Sequence, residues 1–60
     1  MKFSVEWENE NREARYSTIE SSTKETNAVI NRFFDHAISA NLISAKNLYR
    51  VKVKSITQIP

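Results

Sequence analysis

Tyr49-Arg50-Val51-Lys52-Val53-Lys54 alternates apolar and basic side chains with a period of two, the spacing of a strand that packs one face on a core and turns the other to solvent. That reading makes residues 48–57 a strand with Arg50, Lys52 and Lys54 in a row on its outer face. The opposite end of the chain repeats the pattern. Phe3, Val5 and Trp7 alternate with Ser4, Glu6 and Glu8, which predicts a first strand over 2–8 with one apolar face. Asn9 to Arg12 is a polar turn, and a second strand is expected over 13–20. There Ala14, Tyr16 and Thr18 fall on one face and Arg15, Ser17 and Ile19 on the other, so Ile19 is out of phase unless the strand ends early or bulges.

Between the hairpin and the last strand the period changes. Ser22 followed by Glu25 has the spacing of a capping box, in which hydroxyl and carboxylate satisfy reciprocal backbone donors at a helix start. The helix is expected over 23–40, with Val29, Ile30, Phe33, Phe34, Ala37 and Ile38 on roughly half its circumference. That arc is wider than a three-stranded sheet requires, so its flank is free to meet a second subunit. Asn41 is placed to close the helix in the left-handed conformation. The sum is a single α+β domain over residues 1–60, ordered ββαβ, with a three-stranded sheet packed on one amphipathic helix. If the third strand lies beside the first, the sheet is antiparallel in order 2-1-3, with Glu6 and Glu8 central on the open face between Arg15 on one side and Arg50 and Lys52 on the other. The alternative sets the third strand beside the second through a right-handed parallel crossover and leaves the basic row at an edge.

A chain of 60 residues buries only about 60% of the surface its unfolded form exposes, so it needs additional support. Cysteine is absent and there is one histidine, which excludes disulfides and makes a structural zinc site a poor fit. Oligomerisation is the usual remaining support. The absence of glycine rules out phosphate loops and dinucleotide fingerprints and leaves turns to asparagines 9, 11, 41 and 47. Neither a signal peptide nor a membrane span is expected, since residues 1–20 lack an apolar run and carry Glu6, Glu8, Glu10 and Glu13; a cytoplasmic location is the expectation. Charge is uneven: residues 1–30 hold four basic and six acidic side chains, −2, and residues 31–60 hold five and one, +4.

No catalytic, metal or nucleotide motif accompanies these patterns, so no enzyme activity and no cofactor are expected. Glu6 and Glu8 share a strand face, but a chain this small has little room for a substrate cleft. His36 and Asp35 are adjacent on a helix and point about 100° apart, which is no dyad. Arg50, Lys52 and Lys54 are the partner-binding candidates. Cations about 6.5 Å apart along a strand can follow phosphates, yet no aromatic residue is interleaved to stack bases, and the same row serves as a solvated face or as a match for an acidic protein. Ile56 shares the outer parity of Lys52 and Lys54; either a bulge near Ser55 turns it inward, or it joins Leu48 as apolar surface. Phe33, Leu48, Ile56 and Ile59 are accordingly the candidates for self-association.

The expected function is a small protein-binding module, a homodimeric inhibitor or adaptor acting on a host protein. Abundant Asn, Ser, Lys and Ile are associated with AT-rich genomes, which points to a phage or mobile element. The alternative is a small nucleic-acid-binding regulator that uses the basic face of the last strand.

Overall fold

Strand β1 (Lys2–Glu8) occupies the middle of a three-stranded antiparallel sheet, with β2 (Ala14–Glu20) on one side and β3 (Lys52–Ile59) on the other. This is the 2-1-3 order, one of the two that the sequence leaves open, seen in a computed structural model that describes residues 1–60. Helix α1 (Thr26–Ser39) packs on one face of the sheet, running closest to β2, and a 3-10 turn (Ala45–Arg50) leads into β3. The domain is therefore a small α+β fold ordered β-β-α-β. No helix is long and apolar enough to cross a membrane.

Phe3, Val5 and Trp7 of β1 are buried against Val29, Phe33 and Ala37 of α1, with Ile19 and Val51 completing the core. Those helix positions recur at every fourth residue, the stripe expected of a helix with one covered face. Phe34, Ile43, Val53 and Ile56 pack around it, partly exposed. Phe33 lies between two rings, 5.5 Å from Trp7 and 5.1 Å from Phe34 between centroids.

β2 corrects the expected phase. It pairs with β1 through all seven residues without a shift, so Arg15, Ser17 and Ile19 share the helix face with Trp7, Val5 and Phe3, while Tyr16 and Thr18 face away. Ile19 is in phase after all, and a serine holds the position between it and Arg15. Ser17 is buried because its Oγ accepts the indole N–H of Trp7 at 3.0 Å. Pairing of two buried polar groups thus overrides the apolar alternation.

The hairpin turn is fixed by Asn9, whose Oδ1 accepts the backbone N–H groups of Asn11 and Glu13, each at 2.9 Å. The left-handed residue there is Arg12, φ 62°, rather than an asparagine. At the other end Asn41, φ 59°, takes the left-handed position as expected. Its N–H donates to the Ile38 carbonyl at 3.1 Å and that of Leu42 to Ala37 at 2.8 Å, a Schellman closure.

Helix α1 begins at Thr26, not at 23, and no side chain caps it at Glu25. The Ser22 and Glu25 box does not form. Instead Ser21 Oγ accepts from Thr23 N–H at 3.2 Å and Thr23 Oγ1 from Glu25 N–H at 3.2 Å, two local turns that use up the segment before the helix starts.

β3 begins at Lys52, later than the expected 48, because Ser44 Oγ accepts from Lys46 N–H at 3.3 Å and starts the 3-10 turn. Its pairing with β1 shifts between Trp7, opposite Val53, and Glu6, opposite Ser55, so Lys54 is the extra residue of a bulge. Of the two alternatives open for Ile56, the structure takes the bulge near Ser55. It brings both Val53 and Ile56 to the helix side and, by the same shift, sends Ile59 to the open face opposite Lys2.

Deleting Lys54 is expected to leave the domain folded, with stability within about 1 kcal/mol of the parent, because Val53 and Ser55 already face consecutive residues of β1. Urea denaturation followed by circular dichroism checks this. A loss beyond about 2 kcal/mol would show that the strand needs the bend itself.

Candidate functional site

The sheet face away from α1 is open, and its centre is acidic. Glu6 and Glu8 stand there on β1. Glu6 Oε1 accepts from Ser55 Oγ at 3.1 Å and its Oε2 from the Tyr16 hydroxyl at 3.4 Å. Glu8 Oε2 lies 3.2 Å from Lys54 Nζ, and Lys52 is its cross-strand neighbour. With about half the Lys54 side chain exposed, that ion pair contributes no more than about 1 kcal/mol, yet it places an anion directly beside the basic row. Arg15 takes no part: it lies on the helix side and pairs with Glu13 at 3.6 Å.

Arg50 is not a strand residue. It sits in the 3-10 turn, exposed, with its guanidinium carbon 5.4 Å from the centre of the Tyr49 ring and its Nε donating to the Tyr49 hydroxyl at 3.1 Å. Tyr49 is 76% exposed and has no covering neighbour in the core. The two side chains stiffen each other at the corner where β3 begins, next to Lys52. Tyrosine and arginine are enriched among the residues that dominate the energetics of protein interfaces, the tyrosine ring because it offers large area with few rotamers to freeze. The alternation marked Arg50 but concealed Tyr49, which it assigned to the inner face.

The self-association candidates separate. Phe33 is 0% exposed and wholly spent in the core of one chain, so it has no surface for a second. Phe34 is the neighbour left half-exposed, on the flank of α1 with Ile30 and Ile38. Ile56 packs against the core, which the bulge makes possible, and Leu48 is half-buried in the 3-10 turn. Ile59 is half-exposed on the open face. These residues do not form one patch: Ile56 and Ile59 lie on opposite sides of the sheet. Replacing Ile56 by Ser therefore disturbs the fold as well as any contact.

On the other side of the molecule, α1 and the outer edge of β2 border an open groove of about 470 Å³. Lys2, Thr18 and Glu20 line it from the sheet, Arg32, Asp35 and His36 from the helix. No spacing in the sequence announces this groove, because its residues share a place only once α1 settles over β2. No protein family, curated protein or solved structure matches the chain, so its residues and their geometry carry the functional argument alone.

Proposed function

We propose that the chain is a small non-enzymatic protein-binding module that works as a homodimer, an inhibitor or adaptor by which a phage or mobile element engages a host protein in the cytoplasm. The observation that carries the reading is the exposed Tyr49 and Arg50 pair beside Lys52. It combines a stiffened aromatic anchor with positive charge, chemistry suited to a protein surface rich in carboxylates. Nucleic-acid binding is the weaker reading, because Glu8 sits against Lys54 and Glu6 occupies the middle of the same face. A phosphate chain laid along that face meets two carboxylates where it needs cations.

The test is a tagged capture from host lysate with and without nuclease, repeated with Arg50→Glu. A protein that survives nuclease treatment and binds Arg50→Glu at least about 30-fold more weakly supports the module, since truncated or reversed anchors cost 2 kcal/mol or more. Recovery that disappears with nuclease and falls steeply with salt would make the lysines a nucleic-acid surface instead.

A further inference from the structure

Helix α1 covers the sheet unevenly. It runs closest to β2, with Arg32 and His36 lining the groove on that side. A turn of about 100° per residue then carries Ile30, Phe34 and Ile38 to the opposite flank, over the half of the sheet that holds β3. All three are half-buried, and so are Val53 and Ile56, which β3 turns to the helix side. An apolar strip therefore runs along β3, and no strand lies outside it.

As the last strand on this side, β3 has one edge whose backbone donors and acceptors meet no neighbouring strand. Beyond the bulge, Ser55–Ile59 pairs with β1 without a shift, so that edge is regular for five residues. Where the strand begins, the edge is basic. No acidic residue follows Asp35 in the chain, whereas Arg50, Lys52 and Lys54 gather here. Glu8 is taken by Lys54, and neither Lys52 nor Arg50 has an ion-pair partner. β3 stands between Glu8 and the edge, so an arriving strand meets the lysines first. Lysines at an edge discourage neutral and basic strands, and a carboxylate placed across from them reverses that effect.

We propose that the protein partner adds an extended segment to β3 as a fourth strand along Ser55–Ile59, with apolar side chains on its helix side and carboxylates at the end that reaches Lys52. The inference rests on the protein-binding reading above and gives it a mode of contact. In such an addition backbone hydrogen bonds supply affinity and alternate side chains supply specificity. Here the inward set lies beside Ile56 and the flank of Phe34, and the outward set meets Lys52, with Tyr49 and Arg50 at the corner. A second copy of the chain is a poorer occupant, since only its two outer strands have a free edge. Its β3 brings no carboxylate, and its β2 set against β3 is a head-to-tail contact that does not close as a dimer.

The probe is an acetylated and amidated octapeptide of alternating valine and glutamate, titrated into the isotope-labelled chain and followed by amide shifts. The shifts are expected on Ser55–Ile59 and Phe34. Binding is expected to be at least about tenfold tighter than that of the valine and lysine counterpart, because opposite charges across strands stabilise and like charges repel. The acidic peptide N-methylated at every residue keeps its charges but has no backbone donors, and is expected to lose the β3 shifts. Lys52→Gln, at an exposed position, is expected to weaken the acidic peptide roughly threefold without disturbing the fold. Equal binding of the acidic and basic peptides, or shifts that survive N-methylation, would overturn the strand addition. Shifts confined to Tyr49 and Arg50 would overturn it while leaving the protein-binding reading in place. No shift at millimolar acidic peptide would also overturn it, and the protein-binding reading would then stand or fall on the lysate capture with Arg50→Glu.

Discussion

Phe33→Ala is expected to unfold the domain at room temperature or bring it to the brink. Phe33 is 0% exposed, and its ring sits between Trp7 and Phe34, so truncation removes the side chain on which β1 and α1 are joined. Removing a buried phenylalanine costs about 3–5 kcal/mol, counting lost transfer energy and the cavity left behind. A domain of this size has a total stability of roughly 3–9 kcal/mol, so the loss is comparable with the whole. Thermal and urea unfolding, followed by circular dichroism, read the effect. Phe34→Ala, at a half-exposed site, is expected to cost clearly less. Equal losses at the two positions would mean that the helix is anchored elsewhere.

Ser17→Ala carries the second large effect, one that its small change in volume hides. The Ser17 hydroxyl is the acceptor for the Trp7 indole N–H inside the core, and no other buried side-chain donor or acceptor in the chain is left unpaired. Without it the N–H stays buried and unsatisfied, a cost of about 1–3 kcal/mol. The comparison that isolates the bond is a double-mutant cycle. In a Trp7→Phe background, where the donor is already gone, Ser17→Ala should cost almost nothing. If the serine matters equally in both backgrounds, the hydrogen bond is not what holds it inside.

This serine also explains why β2 was the strand read least well from sequence. Period-two reasoning assigns apolar residues inward, and Ser17 breaks the rule because Trp7 supplies a buried donor that no alternation reveals. β1 was legible because Phe3, Val5 and Trp7 obey the rule without exception. The stripe of Val29, Phe33 and Ala37 was legible for the same reason, whereas the helix start was not. Ser21 and Thr23 bond locally within the segment where a capping box had been expected. In the last strand the alternation of Tyr49 to Lys54 runs straight through a boundary, since a 3-10 turn ending at Arg50 leaves the burial of Val51 unchanged in parity. Lys52 and Lys54 were rightly placed on or beside the open face; the ion pair of Lys54 with Glu8 depends on register, which only the pairing with β1 fixes. The groove between β2 and α1 was invisible for a different reason: it joins Lys2 to Asp35 across more than half the chain.

The central place of β1 has a consequence for how the domain is built. β1 precedes both of its partners in the chain, and they reach it by different routes. β2 arrives through a short turn that closes in microseconds. β3 must return from the far end, closing Lys2 on Ile59 across nearly the whole sequence, a slow step because loop entropy is lost before any contact forms. Until that closure one edge of β1, the strand that carries Phe3, Val5 and Trp7, has no partner. The eight residues of β3 therefore act as the latch of the fold, joining its two ends in sequence across the central strand.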